Sequence, residues 1–355
     1  MSVNLAKKFS PKVDEQFTRE ALLGLVTNND YDWNGVNSIY VYDIPAVDNH
    51  NYSRSGANRY GTPDELQNDT QQFTIRRDRG WTFTIDKLNK SQSMMVMDAS
   101  RAVARQMSLK TIPEVDTYTF GQIAANAGAY NDTAATTANA YSLLLKAQET
   151  LGNANVPDTG RVALVSYAFA GLLKQDPAFM RDCDTAQNAL IKGLLGEVDG
   201  CKIVKVPASR LPAGCQFILC HPIATVAAKV LSEYKVHTDA PGVSGWLCEG
   251  RFSYDAFVLK NKKDAIYYSG PFSVSERTLV LNKGESITVD AINFGTATVT
   301  AAVKKGAESS TNLTATVSGG AVTIAAKASA VAGTDYTVTL TAGSDTTTTI
   351  NVTVI

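Results

Sequence analysis

The stretch VYDIPAVDNHNYSRSGANRYGTPDELQNDTQQFTIRRDRGWTFTID, Val41 to Asp86, decides how the rest of this chain is read. Both of its ends look like β-strands, yet about 30 polar residues lie between them. A connection of that length and composition buries too little apolar area to offset the entropy of ordering it. The expectation is an extended hairpin whose packing partner lies outside its own domain. At its base, QQFTIRRDRGWTFTID alternates Phe73, Ile75, Trp81, Phe83 and Ile85 around Arg77-Asp78-Arg79-Gly80, which reads as a turn between paired strands.

At 355 residues, with 44% hydrophobic and 19% charged residues, the chain has the make-up of a folded protein of two or three domains. A net charge of −1 gives no global field to draw it onto nucleic acid. The amino terminus, MSVNLAKKFSPKVDEQF, lacks the apolar core of a secretion signal, and five cysteines read as reduced thiols, so synthesis in a cytosol is expected. The longest apolar run, Cys215 to Leu231, is broken by His221, Pro222 and Lys229 and is too short to span a bilayer, so no membrane partner is expected.

One discontinuity divides the chain at Pro271. All eleven prolines, five cysteines, six methionines and three histidines lie at or before it. Beyond it come short alternating runs rich in Val, Ile and Thr, from FSVSERTLVL to TTTINVTVI, punctuated by glycines. About seven strands are expected in a β-sandwich over 272–355. The opening FSVSERTLVLNKGESITVDA resembles the bacterial immunoglobulin-like (Big2-like) module, which implies display or adhesion, with a possible contact to glycans.

The first 271 residues mix helix and strand. Ser91 or Ser93 caps a helix in which Met95, Ala99, Val103 and Met107 share one face, with Pro113 ending or kinking it. TAATTANAYSLLLKAQETLG is a second helix, and GRVALVSYAFAGLLKQDPAFM an apolar strand followed by a short helix. VDGCKIVKVPASRLPAGCQFILCHPIATVAAKVLSEYKV reads as two strands and then a helix. GWLCEGRFSYDAFVLKNKKDAIYYSG reads as two antiparallel strands joined at Asn261-Lys262-Lys263-Asp264.

Taken in order, these elements resemble the major capsid protein of tailed bacteriophages, with its Hong Kong 97-like fold. GRVALVSYAFAGLLKQDPAFM, VDGCKIVKVPASRLP and the segment from His221 to Tyr268 carry the local similarity. The resemblance implies an α+β shell domain over 1–271: an N-arm at 1–36, an E-loop hairpin at 37–90, a spine helix from Ser91, an axial domain at about 130–240 and a peripheral sheet. The all-β immunoglobulin-like sandwich of 272–355 would be an outward decoration. It implies assembly of many copies, as hexamers and pentamers, into an icosahedral virion capsid in the host bacterial cytoplasm. Expected partners are a separate scaffolding protein, a portal and a weak interior contact with packaged double-stranded DNA. The 28 basic and 28 acidic residues of 1–271 suit so loose a contact. An E-loop reaches over a neighbouring subunit, and Tyr52, Arg54, Arg59, Tyr60, Arg76 and Arg77 are its expected inter-subunit contacts. Between Pro45 and Gln72 there is no lysine, so no isopeptide crosslink from this loop is expected.

Chemistry is expected nowhere. His50, His221 and His237 are far apart, and Cys215, Cys220 and His221 lack the second close pair that zinc requires. Gly242-Val243-Ser244-Gly245-Trp246 misses the nucleophile-elbow pattern at its last position. No catalytic, cofactor or metal residue is assigned, and a non-enzymatic role is expected. The alternatives are an encapsulin-like compartment and a surface adhesin.

Overall fold

A computed structural model describes residues 21–28, 30–31, 33, 38–63, 65–88, 99–176, 179, 194–238, 240–343 and 346–355. Most of the expected arm and the expected helix start at Ser91, with Met95, lie outside them. After a 3₁₀ turn (Leu23–Leu25) come β1 (Ser38–Asp43) and β2 (Asp69–Thr74), an antiparallel pair running from Ser38 opposite Thr74 to Asp43 opposite Asp69. Next come β3 (Arg77–Asp86), helix α1 (Ala99–Gln106), a π turn (Met107–Thr111) and α2 (Ile112–Ala125). There follow β4 (Ala129–Asn131), α3 (Ala140–Asn153), β5 (Val162–Ser166), α4 (Tyr167–Gln175), β6 (Leu194–Val198), β7 (Cys201–Val206), β8 (Phe217–Cys220), β9 (Thr225–His237), β10 (Gly245–Val258) and β11 (Ile266–Ser269).

The helical path does not end at Pro113. The π turn immediately before it shifts the hydrogen-bond register where the proline has no donor to give, and α2 continues. Ala99 and Val103 lie on the face of the β3–β10–β9 sheet that carries Trp81, Phe83 and Ile85, as the expected stripe requires.

Three expectations are corrected here. Arg77–Gly80 is no turn; it is the start of β3, which pairs with β10 from Arg77 opposite Tyr254 to Asp86 opposite Gly245. Gly250, opposite Trp81, makes this pairing possible, because any side chain there would collide with the indole. TVAAKVLSEYKV is not a helix but most of β9. Its helix-favouring Ala, Lys and Glu are overridden by twelve register pairs with β10, and Thr225, Val226 and Val236 suit the pleat. Finally, β10 and β11 do not pair with one another. The 3₁₀ segment Lys260–Ala265 carries the chain from the three-stranded sheet to another, where β11 pairs with β8 and β4.

That other sheet has the order β4-β11-β8-β5-β7-β6 and is covered on both faces. Along β5, Val162 and Leu164 face one core with α2, Leu22 and Val26, whereas Ala163 and Val165 face a second with α3 and α4. An unbroken apolar run is what two buried faces demand. Ser166 ends the strand and caps α4, its hydroxyl accepting from the Phe169 N–H at 3.3 Å. Asp199 and Gly200, at φ 49° and 73°, form the tight turn between β6 and β7.

Cys201, Cys215, Cys220 and Cys248 are buried and reduced. Burial pushes the Cys201 thiol up to about 12 and raises Cys215, Cys220 and Cys248 as well. These four should resist iodoacetamide at neutral pH in the native protein and react once urea unfolds it, with mass spectrometry locating the adducts. Labelling of Cys215 or Cys220 in the native state would contradict this burial.

The last strands are β12 (Ser273–Val274), β13 (Thr278–Leu281), β14 (Ser286–Ile292), β15 (Val299–Lys305), β16 (Glu308–Ser309), β17 (Leu313–Ser318), β18 (Ala321–Ala326), β19 (Gly333–Ala342) and β20 (Thr346–Val354). They form two sheets, β12-β14-β18-β17 and β13-β20-β19-β15-β16, which share one apolar core that includes Val289, Ile324, Val338 and Val352. In β18, β19 and β20 buried residues, mostly Val, Ile or Leu, alternate with outward ones, mostly Thr or Ala, the pattern of a sheet wetted on one face. Tyr336 is fully buried, and its hydroxyl donates to the Val331 carbonyl at 2.7 Å.

Candidate assembly interface

Among the described residues the β1–β2 hairpin is held along its paired strands. Ile39 and Phe73, opposite one another, pack with Ile75 against Trp33, Ala228 and Phe257. Phe257 lies 4.9 Å from Phe73 and 5.2 Å from Trp33, centroid to centroid. Lys260 adds a salt bridge to Asp69 at 3.4 Å. Beyond Asp43 no contact to the rest of the subunit is seen among the described residues.

The protruding part exposes large apolar side chains in series: Tyr40, Tyr42, Ile44, Val47, Tyr52, Tyr60 and Leu66, with Ile44 at 72% and Tyr60 at 85%. Water around so many neighbouring apolar groups is unfavourable, which marks the hairpin as a surface awaiting cover. The tip is nevertheless shaped. Ser53 N–H donates to the Arg59 carbonyl at 2.9 Å, Arg59 Nε to that of Gly56 at 3.2 Å, and the Tyr52 and Tyr60 rings meet edge to face at 4.9 Å. Gly56 and Gly61 take φ of 89° and 94°, which other residues rarely adopt.

Of the expected contacts, the structure therefore brings Tyr52, Arg59 and Tyr60 together at the tip, with Arg54 exposed beside them. Sequence reasoning passed over Tyr40, Tyr42, Ile44, Val47 and Leu66. Their signal was available: apolar residues at outward positions of a segment read as polar.

Arg76 and Arg77 lie apart from the tip, at the base of the hairpin. They lie where the chain leaves β2 for β3, and their bonds are to this same chain. Arg76 donates its backbone N–H to Asp255 Oδ2 at 2.9 Å, and its guanidinium donates to Gln122 Oε1 at 3.0 Å and lies 3.9 Å from Asp290. Arg77 is buried, paired with Glu276, with its guanidinium 5.0 Å from the centre of the Tyr118 ring. Arg79 donates to Glu114 at 2.9 Å, and the same carboxylate accepts from the Tyr254 hydroxyl at 3.1 Å. Burial pushes the Glu276 carboxyl above the ordinary glutamate range, against the pull of Arg77. Glu276 and Asp290 sit on the carboxyl-terminal sandwich, so this cluster is also its dock.

Among the described residues no group of three or more His, Cys, Asp or Glu is placed to hold a metal ion, and no helix is long and apolar enough to cross a membrane. His221 is bound locally, its Nδ1 accepting from Ile223 N–H at 3.2 Å.

No family model matches this sequence, and the comparison with curated proteins finds no match. Solved structures do. A chain from Mycobacterium phage Che8 superposes with a TM-score of 0.61 at 18% identity, covering 75% of this chain and 96% of that one. The capsid structure of cyanophage P-SCSP1u gives 0.59 at 15%, covering 75% and 92%. The mature capsid of bacteriophage PhiM1 gives 0.57 at 15%, covering 75% and 91%. The fold is a phage capsid fold of the Hong Kong 97 type. The β1–β2 hairpin falls within the span expected of the E-loop, 37–90, and α1 and α2 within that expected of the spine helix.

Proposed function

We propose that this protein is a major capsid subunit that assembles, as hexamers and pentamers, into the icosahedral shell of a tailed phage around double-stranded DNA. The observation that carries this reading is the E-loop: a hairpin anchored at Phe73 and Phe257 whose outer part presents Tyr40 to Leu66 to solvent. Laid across a sibling subunit, those side chains leave water, and the ordering cost of the loop is offset by the contact rather than by its own fold. One contact repeated head to tail closes a ring. Tyr52, Arg54, Arg59 and Tyr60 are the tip residues we assign to it.

The role is structural rather than enzymatic, and a scaffolding protein, a portal and a weak inner contact with DNA complete the assembly. The shell domain is 1–271 and the decoration 272–355. An immunoglobulin-like identity for the latter is supported by its strand order. The first strand is split, β12 pairing in one sheet and β13 in the other, and the remaining strands divide between the sheets as B, E, D (β14, β18, β17) and G, F, C (β20, β19, β15), with β16 at the edge of the second. The Tyr336 bond to Val331 resembles the tyrosine corner of such sandwiches. Contact with glycans would fall to its Thr-rich outward face.

The test is electron microscopy of the purified protein, alone and with its scaffold. Closed shells are expected, and replacing residues 46–66 by a short Gly-Ser turn should leave soluble, folded, unassembled subunits. Full assembly by the shortened variant would overturn the role given to the E-loop. Shells filled with protein cargo instead of DNA would favour an encapsulin-like compartment.

A further inference from the structure

The junction between E-loop and sheet is built from an unusual set of partners. Only Ile75 and Arg76 separate β2 from β3, so a swing of the hairpin relative to the sheet must bend the chain here. Its two arginines are held by carboxylates from two different places. Asp255, on β10, takes the Arg76 N–H. Asp290, on β14 of the sandwich, lies by the Arg76 guanidinium and accepts from Gln122 Nε2 at 3.1 Å, while Gln122 Oε1 accepts from Arg76 at 3.0 Å. Glu276, in the link between β12 and β13, takes Arg77. Ser275 fixes that link, its hydroxyl accepting from the Asp290 N–H at 3.0 Å and its own N–H donating to the Asp290 carbonyl at 2.8 Å.

We propose that the carboxyl-terminal sandwich is a clamp on the E-loop: by holding Arg76 and Arg77 it fixes the hinge about which the hairpin turns, and so sets the direction in which the hairpin leaves the subunit. This is a role within one chain and does not rest on the assembly reading. The physics favours a clamp over a passive tether. Arg77 is buried, and a buried guanidinium deprived of its carboxylate is strongly unfavourable, so the hinge residue cannot leave its place while the sandwich is docked. Arg76 is shared by both domains through Gln122, so its rotation would break bonds to each. A tether at Gly270 or Arg277, where Asn293 Nδ2 donates to the Gly270 carbonyl and Arg277 to that of Ala208, would hold the sandwich without touching the hinge.

Hydrogen exchange on the full-length protein tests this. In the double variant Glu276→Gln, Asp290→Asn, which keeps size and hydrogen-bonding capacity, amides of residues 69–77 should exchange about tenfold faster or more, because local opening no longer breaks charged bonds. Amides of β5, β7 and β8 should be unchanged. Arg277→Ala, which touches the shell away from the hinge, should leave residues 69–77 at the wild-type rate. The proposal fails if the double variant leaves the hinge rate unaltered, if exchange quickens equally through the shell domain, or if Arg277→Ala loosens the hinge as much.

Discussion

Replacing Arg161 by Met should destabilise the shell domain by about 3–5 kcal/mol, whereas Asp158→Ala should change it by no more than about 0.5 kcal/mol. Arg161 is 2% exposed and stands directly before β5. Its Nε donates to the Pro157 carbonyl at 2.9 Å, Nη1 to Gln148 O at 3.2 Å and Oε1 at 3.1 Å, and Nη2 to the Val156 carbonyl at 2.6 Å. One side chain thus satisfies the loop between α3 and β5, and Gln148 passes the link to Val198 on β6 at 3.2 Å. Methionine fills much of the volume but donates nothing, leaving the buried Gln148 acceptors without a donor and the part-buried Val156 and Pro157 carbonyls without their tie to one another. Asp158 also pairs with Arg161, at 2.7 Å, but its side chain is 84% exposed, and an ion pair open to solvent adds little. Urea denaturation read by circular dichroism separates the cases. Equal losses for the two variants would mean that the ion pair, not the carbonyl cage, is what matters.

Gly121→Ala should separate the sandwich from α2. Taken alone, the substitution favours a helix by about 1 kcal/mol. Here a Cβ would fall far inside van der Waals contact with the Ser275 carbonyl, which is backbone and cannot turn aside. Backing away by an ångström or more would break Gln122 to Asp290 and Arg77 to Glu276, so a net loss of about 1–3 kcal/mol is expected. The sandwich should stay folded on its own core and the link at 269–277 should become open to protease. Limited proteolysis with mass spectrometry of the fragments gives the answer. A more stable variant, uncut at the link, would show that the dock is loose.

Much of this was legible in the chain. The boundary in composition at Pro271, the alternation of Val and Thr beyond it, the apolar VALV of β5 and the long polar insert between Val41 and Asp86 each follow from a local period or its absence. The failures share a cause. TVAAKVLSEYKV carries helix formers yet is a strand because β10 offers it a ladder, and RRDRG reads as a turn yet is a strand because Gly250 makes room for Trp81. In both, the deciding neighbour lies on β10, outside the segment that a local period reads. At the hairpin, composition drew attention to Tyr52, Arg54, Arg59 and Tyr60, but Arg76 and Arg77 could not be placed, since Glu276 and Asp290 lie some two hundred positions on.

By itself the sequence determined which segments must bury a face and which cannot, because hydrophobic period and turn chemistry act over a few residues. Only the tertiary structure decided which strand each segment joins and where each charge finds its counter-charge, because pairing energy and desolvation depend on groups that the chain brings together from far apart.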